Sequence, residues 1–84
     1  MELKVGTITH YYSKIGVAIL EITDEPLSLG DTIHIKGHST DFQETVESMQ
    51  IEHQAVSTTK KGDVIGLKVK ERCREGDVVY KVIP

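Results

Sequence analysis

Apolar and polar residues alternate over short stretches of this chain, and turn residues separate those stretches at regular intervals. Leu3-Lys4-Val5-Gly6-Thr7-Ile8-Thr9 opens as a strand, with Gly6 breaking the alternation as a bulge or a close backbone approach would. Ile15 to Ile22 is apolar on nearly both faces, the pattern of a central strand covered on both sides. Thr32-Ile33-His34-Ile35-Lys36 alternates cleanly, which puts Ile33 and Ile35 inside and His34 and Lys36 outside. Phe42 to His53 is the one stretch where a helix competes, since Phe42, Val46 and Met49 have helical spacing. The same stretch reads as a long strand whose phase slips between Val46 and Met49, and a bulged strand is expected there. Val64 to Lys70 turns Ile65, Leu67 and Val69 inward and Lys68 and Lys70 outward, and Asp77 to Ile83 completes six segments.

Composition agrees with strands. Nine Val, nine Ile and eight Thr stand against five Leu and two Ala. Branching at Cβ restricts χ1 on a helix and packs well on a pleated surface. Gly30-Asp31, Gly62-Asp63 and Gly76-Asp77 each precede an apolar strand, where Gly supplies positive φ and Asp is expected to bond the backbone two residues on. Six strands in an open sheet would leave two exposed edges, and closure into a barrel removes both. The expectation is therefore all-β, a closed six-stranded antiparallel β-barrel, with residues 1–84 forming one domain without a linker.

Charge and motifs narrow the chemistry. The net charge is −3, distributed as −6 over residues 1–59 and +3 over residues 60–84. That balance disfavours a free-standing nucleic-acid binder, whose affinity comes from phosphate neutralisation, and leaves room for a small basic patch near the C-terminal end. No apolar run is long enough for a membrane span, and no signal-peptide core opens the chain. Cys73 stands alone, so an intrachain disulfide and a thiolate-rich zinc site are impossible, and a reducing cytoplasm is the expected compartment. His34 and His38 are four apart, but the spacing crosses a strand end and Gly37, and no metal or other cofactor is expected. No nucleophile-plus-base pair stands out, so no enzymatic activity is expected.

Val5-Gly6-Thr7-Ile8, Leu27-Ser28-Leu29-Gly30-Asp31, Val46-Glu47-Ser48-Met49, Glu52-His53-Gln54-Ala55-Val56 and Lys61-Gly62-Asp63-Val64-Ile65-Gly66-Leu67-Lys68-Val69-Lys70 follow one another in order, and Glu75-Gly76-Asp77-Val78 closes the series. In order and spacing this resembles the second domain of translation GTPases, the β-barrel that follows the G domain in elongation and initiation factors. The resemblance runs from about Leu3 to Val82 and implies a barrel that contacts RNA, the ribosome or a neighbouring domain. The chain has no G-x-x-x-x-G-K-[ST] loop and no Asn for a guanine-reading motif, so it is expected to bind no nucleotide.

Two contact surfaces are expected. His10, Tyr11, Tyr12 and Lys14 share one loop, where aromatic faces could stack on bases and His and Lys could donate to phosphate. Lys68, Lys70, Arg72 and Arg74 recur with a period of two, so along a strand they would form one cationic stripe. The expected function is a non-catalytic, elongation-factor-like binding module that contacts RNA, tRNA or the ribosome weakly by itself, or a protein partner. The alternative is a protein-interaction accessory barrel for a larger enzyme, since similar barrels occur as the C-terminal accessory domain of collagenase-like peptidases.

Overall fold

A computed structural model describes residues 1–84, and it is all-β. Eight strands form one antiparallel sheet: β1 (Glu2–Tyr12), β2 (Val17–Ile22), β3 (Thr32–Lys36), β4 (Asp41–Thr45), β5 (Met49–Ile51), β6 (Gln54–Val56), β7 (Val64–Lys68) and β8 (Val78–Val82). Their order across the sheet is β4-β3-β8-β1-β2-β7-β5-β6. No helix is long and apolar enough to cross a membrane.

Two expectations change here. The stretch from Phe42 to His53 is neither a helix nor one bulged strand. It breaks where the phase slips, so β4 pairs with β3 at one end of the sheet while β5 pairs with β7 near the other. A two-residue turn at Glu52-His53 then starts β6, which gives eight strands instead of six. Closure also differs from expectation, because no ladder joins β4 to β6. Loop backbone satisfies groups along this seam instead. Gly30 N–H donates to Val46 O, and Val46 N–H to Asp31 O. On the other side Leu29 N–H donates to Ser57 O and Thr59 N–H to Leu27 O. Paired irregular backbone of this kind blunts a sheet edge as a neighbouring strand would.

Alternation fixes the core. Ile33, Ile35, Ile65, Leu67 and Val69 are all buried together with Val5, Ile8, Leu20, Ile22, Leu27, Met49 and Val79. Gly6 satisfies both sequence expectations at once. The β1–β8 register shifts between Lys4 and Gly6, and the β1–β2 pairing brings the backbone of Glu21 against the glycine's α-carbon. A second bulge, between Ile8 and His10 on the β2 side, resets the phase of β1. As a result Tyr11 points toward the core and Tyr12 toward solvent.

The three Gly-Asp pairs build the same turn three times. Gly30, Gly62 and Gly76 have φ of 90°, 97° and 90°. The Asp that follows each accepts a bond not from two residues ahead but from the N–H three residues behind. These are Ser28 N to Asp31 Oδ2, Lys60 N to Asp63 Oδ2 and Arg74 N to Asp77 Oδ2, at 2.8, 2.9 and 2.8 Å. Each Asp N–H also bonds the carbonyl of that same residue, closing a turn whose third position demands positive φ.

Candidate functional site

On its outer face the sheet carries an uncovered apolar area. Register places side chains there in rows across the strands. Tyr12, Val17 and Lys68 form one row, His10, Ile19, Gly66 and Gln50 the next, and Glu21 and Val64 a third. Their neighbours Ala18, Leu20, Ile65 and Leu67 face the core. Tyr12, Ile15 and Val64 are 47%, 59% and 54% exposed, which is unusual for large apolar side chains brought so close together. With Val17, Ile19 and the Glu52-His53 turn they line a concavity of about 280 Å³.

Gly66 makes the concavity. It is the one outward position on β7 without a side chain, and an added Cβ would sit 3.5 Å from Val17 Cγ1 and 3.9 Å from Gln50 O. Those are ordinary van der Waals distances, so the glycine is not forced there by crowding of the backbone. At the rim, Glu52 and His53 have φ of 50° and 66°. Both central residues of this hairpin turn therefore lie in the left-handed region, which ordinarily selects Asn-Gly.

The residues expected to make contacts are divided between surfaces. Tyr12 and Lys68 are brought together through Val17, and the Ser13–Gly16 turn holding Lys14 is fastened beside them by Val69 N–H to Gly16 O, 2.9 Å. His10 lies 3.3 Å from Glu75 through Nδ1 and stacks obliquely on Tyr12, with ring centroids 4.4 Å apart. Tyr11 is half-buried against the core, so only one of the two tyrosines presents its ring to solvent as an available platform. The cationic stripe lies only partly on a strand. β7 ends at Lys68, and Lys70, Arg72 and Arg74 occupy the loop beyond it, exposed, with Val69 and Cys73 buried between them. Lys70 Nζ is 3.6 Å from Glu47 Oε1.

Away from this face, His34, Glu44 and Cys73 are held in covered environments. His34 points away from the core as expected, but neighbouring carboxylates cover it and leave its side chain 13% exposed. Its Nδ1 meets Glu2 Oε2 at 2.8 Å and its Nε2 meets Asp41 Oδ1 at 2.5 Å. The Asp41 bond, then the Glu2 bond, raise the imidazole pKa above its usual value, and the bond to His34 lowers that of Asp41. Glu44 is buried and accepts Lys70 N–H at 3.1 Å, and burial raises its carboxyl pKa. Burial, then Asp77 and Glu44, push the Cys73 thiol up to about 11. That is opposite to the lowered pKa a nucleophilic cysteine needs.

No family model matches the chain. It is 41% identical over 80 residues to an uncharacterized protease of Methanocaldococcus jannaschii, covering 94% of this chain and 19% of that protein. It is 37% identical over 81 residues to a collagenase of Porphyromonas gingivalis, covering 95% of this chain and 20% of that protein. The chain thus spans about a fifth of the length of the curated relatives it matches. Among solved structures it shares its fold with the C-terminal domain of a U32 peptidase from Geobacillus thermoleovorans. There the TM-score is 0.87 at 18% identity, covering 98% of this chain and 93% of that domain. The selenomethionine variant of the same domain gives a TM-score of 0.84 at 16% identity. These matches overturn the assignment to the translation GTPases and the elongation-factor role drawn from it, because nearly the whole chain aligns with peptidase-related proteins.

The site residues that sequence reasoning missed are Ile15, Val17, Ile19, Val64 and Gly66. The signal is the doubly apolar run from Ile15 to Ile22, which is covered on one face only: Ala18, Leu20 and Ile22 enter the core, whereas Ile15, Val17 and Ile19 line the outer concavity.

Proposed function

We propose that this chain is a non-catalytic accessory domain that works with a larger peptidase-type protein, either within one chain or as a separate subunit. The observation that carries it is the extent of the matches. Nearly all of this chain aligns with about a fifth of a protease and of a collagenase, and the same fold occurs as the C-terminal domain of a U32 peptidase. The chemistry supports a contact role. The buried Cys73 thiol resists ionisation, both ring nitrogens of His34 are engaged by carboxylates, and the most exposed apolar area forms a groove suited to polypeptide.

A chimera tests this. The segment of the Porphyromonas gingivalis collagenase that aligns with this chain is either deleted or replaced by residues 1–84. The proposal expects the deletion to lose collagen cleavage and the replacement to recover a substantial part of it, while the isolated chain cleaves nothing. Full activity in the deletion, or cleavage by the isolated chain, would refute the accessory role.

A further inference from the structure

Away from the groove, His34 ties together strands that span half of the sheet. Register sets Gln43, His34, Tyr80 and Lys4 in one row across β4, β3, β8 and β1. Asp41 belongs to the row on one side of it, opposite Lys36, and Glu2 to the row on the other, opposite Val82. The ring bridges those flanking rows diagonally, with Nε2 at 2.5 Å from Asp41 Oδ1 and Nδ1 at 2.8 Å from Glu2 Oε2. The contact to Glu2 passes across β8, whose outward Tyr80 and Val82 are half-buried. The other titratable or charged side chains on this face are Tyr80 on β8, Lys4 on β1 and Lys36 on β3. Neither lysine comes within 4 Å of a carboxylate.

A carboxylate only accepts, so both contacts are hydrogen bonds only while both ring nitrogens carry protons. A neutral imidazole has one N–H, and its other nitrogen turns a lone pair toward the carboxylate opposite. We propose that His34 is a proton-operated latch, closed as the imidazolium and opened on the Glu2 side when Nδ1 gives up its proton, which releases the N-terminal end of β1 from β3. Asp41 keeps the remaining proton because its contact is the shorter of the two. The Asp41 bond, then the Glu2 bond, raise the imidazole pKa above 6.5, so the latch is closed below the folded value and opens as pH rises through it. In strong acid the Asp41 contact weakens instead, as pH falls through that carboxyl's lowered value. The opening is local. Glu2 adjoins the last backbone pair between the chain's ends, in which Ile83 N–H donates to Met1 O at 2.7 Å and Met1 N donates to Ile83 O at 3.2 Å. The inference does not rest on the peptidase reading, since every contact in it lies within this chain.

The test follows the 84-residue chain by NMR from about pH 5 to about pH 9. Long-range proton–nitrogen spectra read both nitrogens of the imidazole directly. Both should carry protons at the acid end, the midpoint should lie above 6.5, and the neutral ring should be the Nε2–H tautomer. Exchange of the Ile83 amide, corrected for the intrinsic pH dependence of exchange, should accelerate by about three- to tenfold through that midpoint, the size of one partly exposed charge-assisted bond. Amides of β2 and β7 should keep their protection. Glu2→Gln supplies a carboxamide that donates to the bare Nδ1, so the contact should persist with the neutral ring. The imidazole midpoint should then fall and the step in Ile83 exchange should disappear. Asp41→Asn places a donor at the other nitrogen, and should reverse the neutral ring to the Nδ1–H tautomer with Glu2 held throughout. A midpoint at or below 6.5, an Nδ1–H tautomer in the unaltered protein, or a step in Ile83 exchange that survives Glu2→Gln would overturn the proposal.

Discussion

The contact most sensitive to a single methyl group is at Gly6. A Cβ added there would lie 1.8 Å from Glu21 O, 2.9 Å from Glu21 C and 3.2 Å from Ile22 Cα. All three are backbone atoms of the paired strand, so no side chain can rotate away. Reaching an ordinary separation of about 3.5 Å requires the strands to part by well over an ångström. That movement breaks the Gly6–Ile22 register and pulls on Val5 O, which accepts bonds from both Thr23 N–H and Asp24 N–H at 3.0 Å. Overpacking typically costs about 1–3 kcal/mol, and a clash confined to backbone belongs at or above the upper figure. At about 4–8 °C per kcal/mol for a domain of this size, Gly6→Ala should lower the melting temperature by roughly 12–24 °C. Gly66→Ala is the control. It adds the same methyl to a strand glycine at ordinary contact distance, and should be neutral or stabilising by up to about 1 kcal/mol. Thermal circular dichroism and urea titration of both variants measure the contrast, the urea midpoint moving for Gly6→Ala with little change in slope. Equal melting temperatures for the two variants would refute the argument that this close approach sets the β1–β2 register.

Other outcomes follow from the same structure. His34 has its pKa raised, so its contribution is complete below the ordinary value of 6.5 and is lost as pH rises through the folded value. Asp41 has its pKa lowered, so its contribution is lost as pH falls through the folded value, below 3.8. Glu44, raised by burial, likewise contributes below its ordinary value of 4.5 and loses that contribution as pH rises through the folded value. Urea midpoints should therefore decline from pH 5 toward pH 9, and His34→Gln should flatten the part of the decline above pH 6.5 that belongs to the imidazole. Cys73, buried with its thiol near 11, should react with a thiol reagent at neutral pH only in denaturant, and prompt labelling of the native protein would contradict its burial. Replacing Glu52-His53 by Asn-Gly should raise stability by about 1–2 kcal/mol, since both positions have positive φ, and no change in the urea midpoint would show the turn to be unstrained.

Most of the core was legible because one-sided burial writes itself as alternation. Ile33, Ile35, Ile65, Leu67 and Val69 all lie where a period of two puts them. The count of strands was not legible, because the break after Thr45 depends on where the chain goes next. Val46, Glu47 and Ser48 carry it from β4 at one end of the sheet to β5 near the other, and no local propensity records that crossing. The site was legible only in part. Tyr12 and Lys68 were identified singly, yet the register that makes them neighbours comes from a bulge between Ile8 and His10 that no glycine announces. Tyr11 was misplaced for the same reason, since one extra residue in β1 exchanges the faces of everything after it. His34 sits at an outward strand position, but Glu2 from β1 and Asp41 from β4 close over it.

The residues that suggested a translation factor have structural duties that explain the resemblance without any shared function. Gly6 in Val5-Gly6-Thr7-Ile8 is required by the backbone of Glu21. Gly30-Asp31, Gly62-Asp63 and Gly76-Asp77 are turns in which glycine supplies positive φ and aspartate caps an N–H three residues behind. Any small antiparallel domain with the same bulge and turns would satisfy these demands with much the same residues, whatever it binds. The outward rows of β2 and β7 are positions the backbone leaves free, where domains of one fold can differ without loss of structure. Gly66 lies on that side of the division. With its nearest neighbour 3.5 Å from the missing Cβ, an ordinary contact distance, and no positive φ, the fold accepts a β-carbon there, so the bare position is not demanded by how the sheet is built.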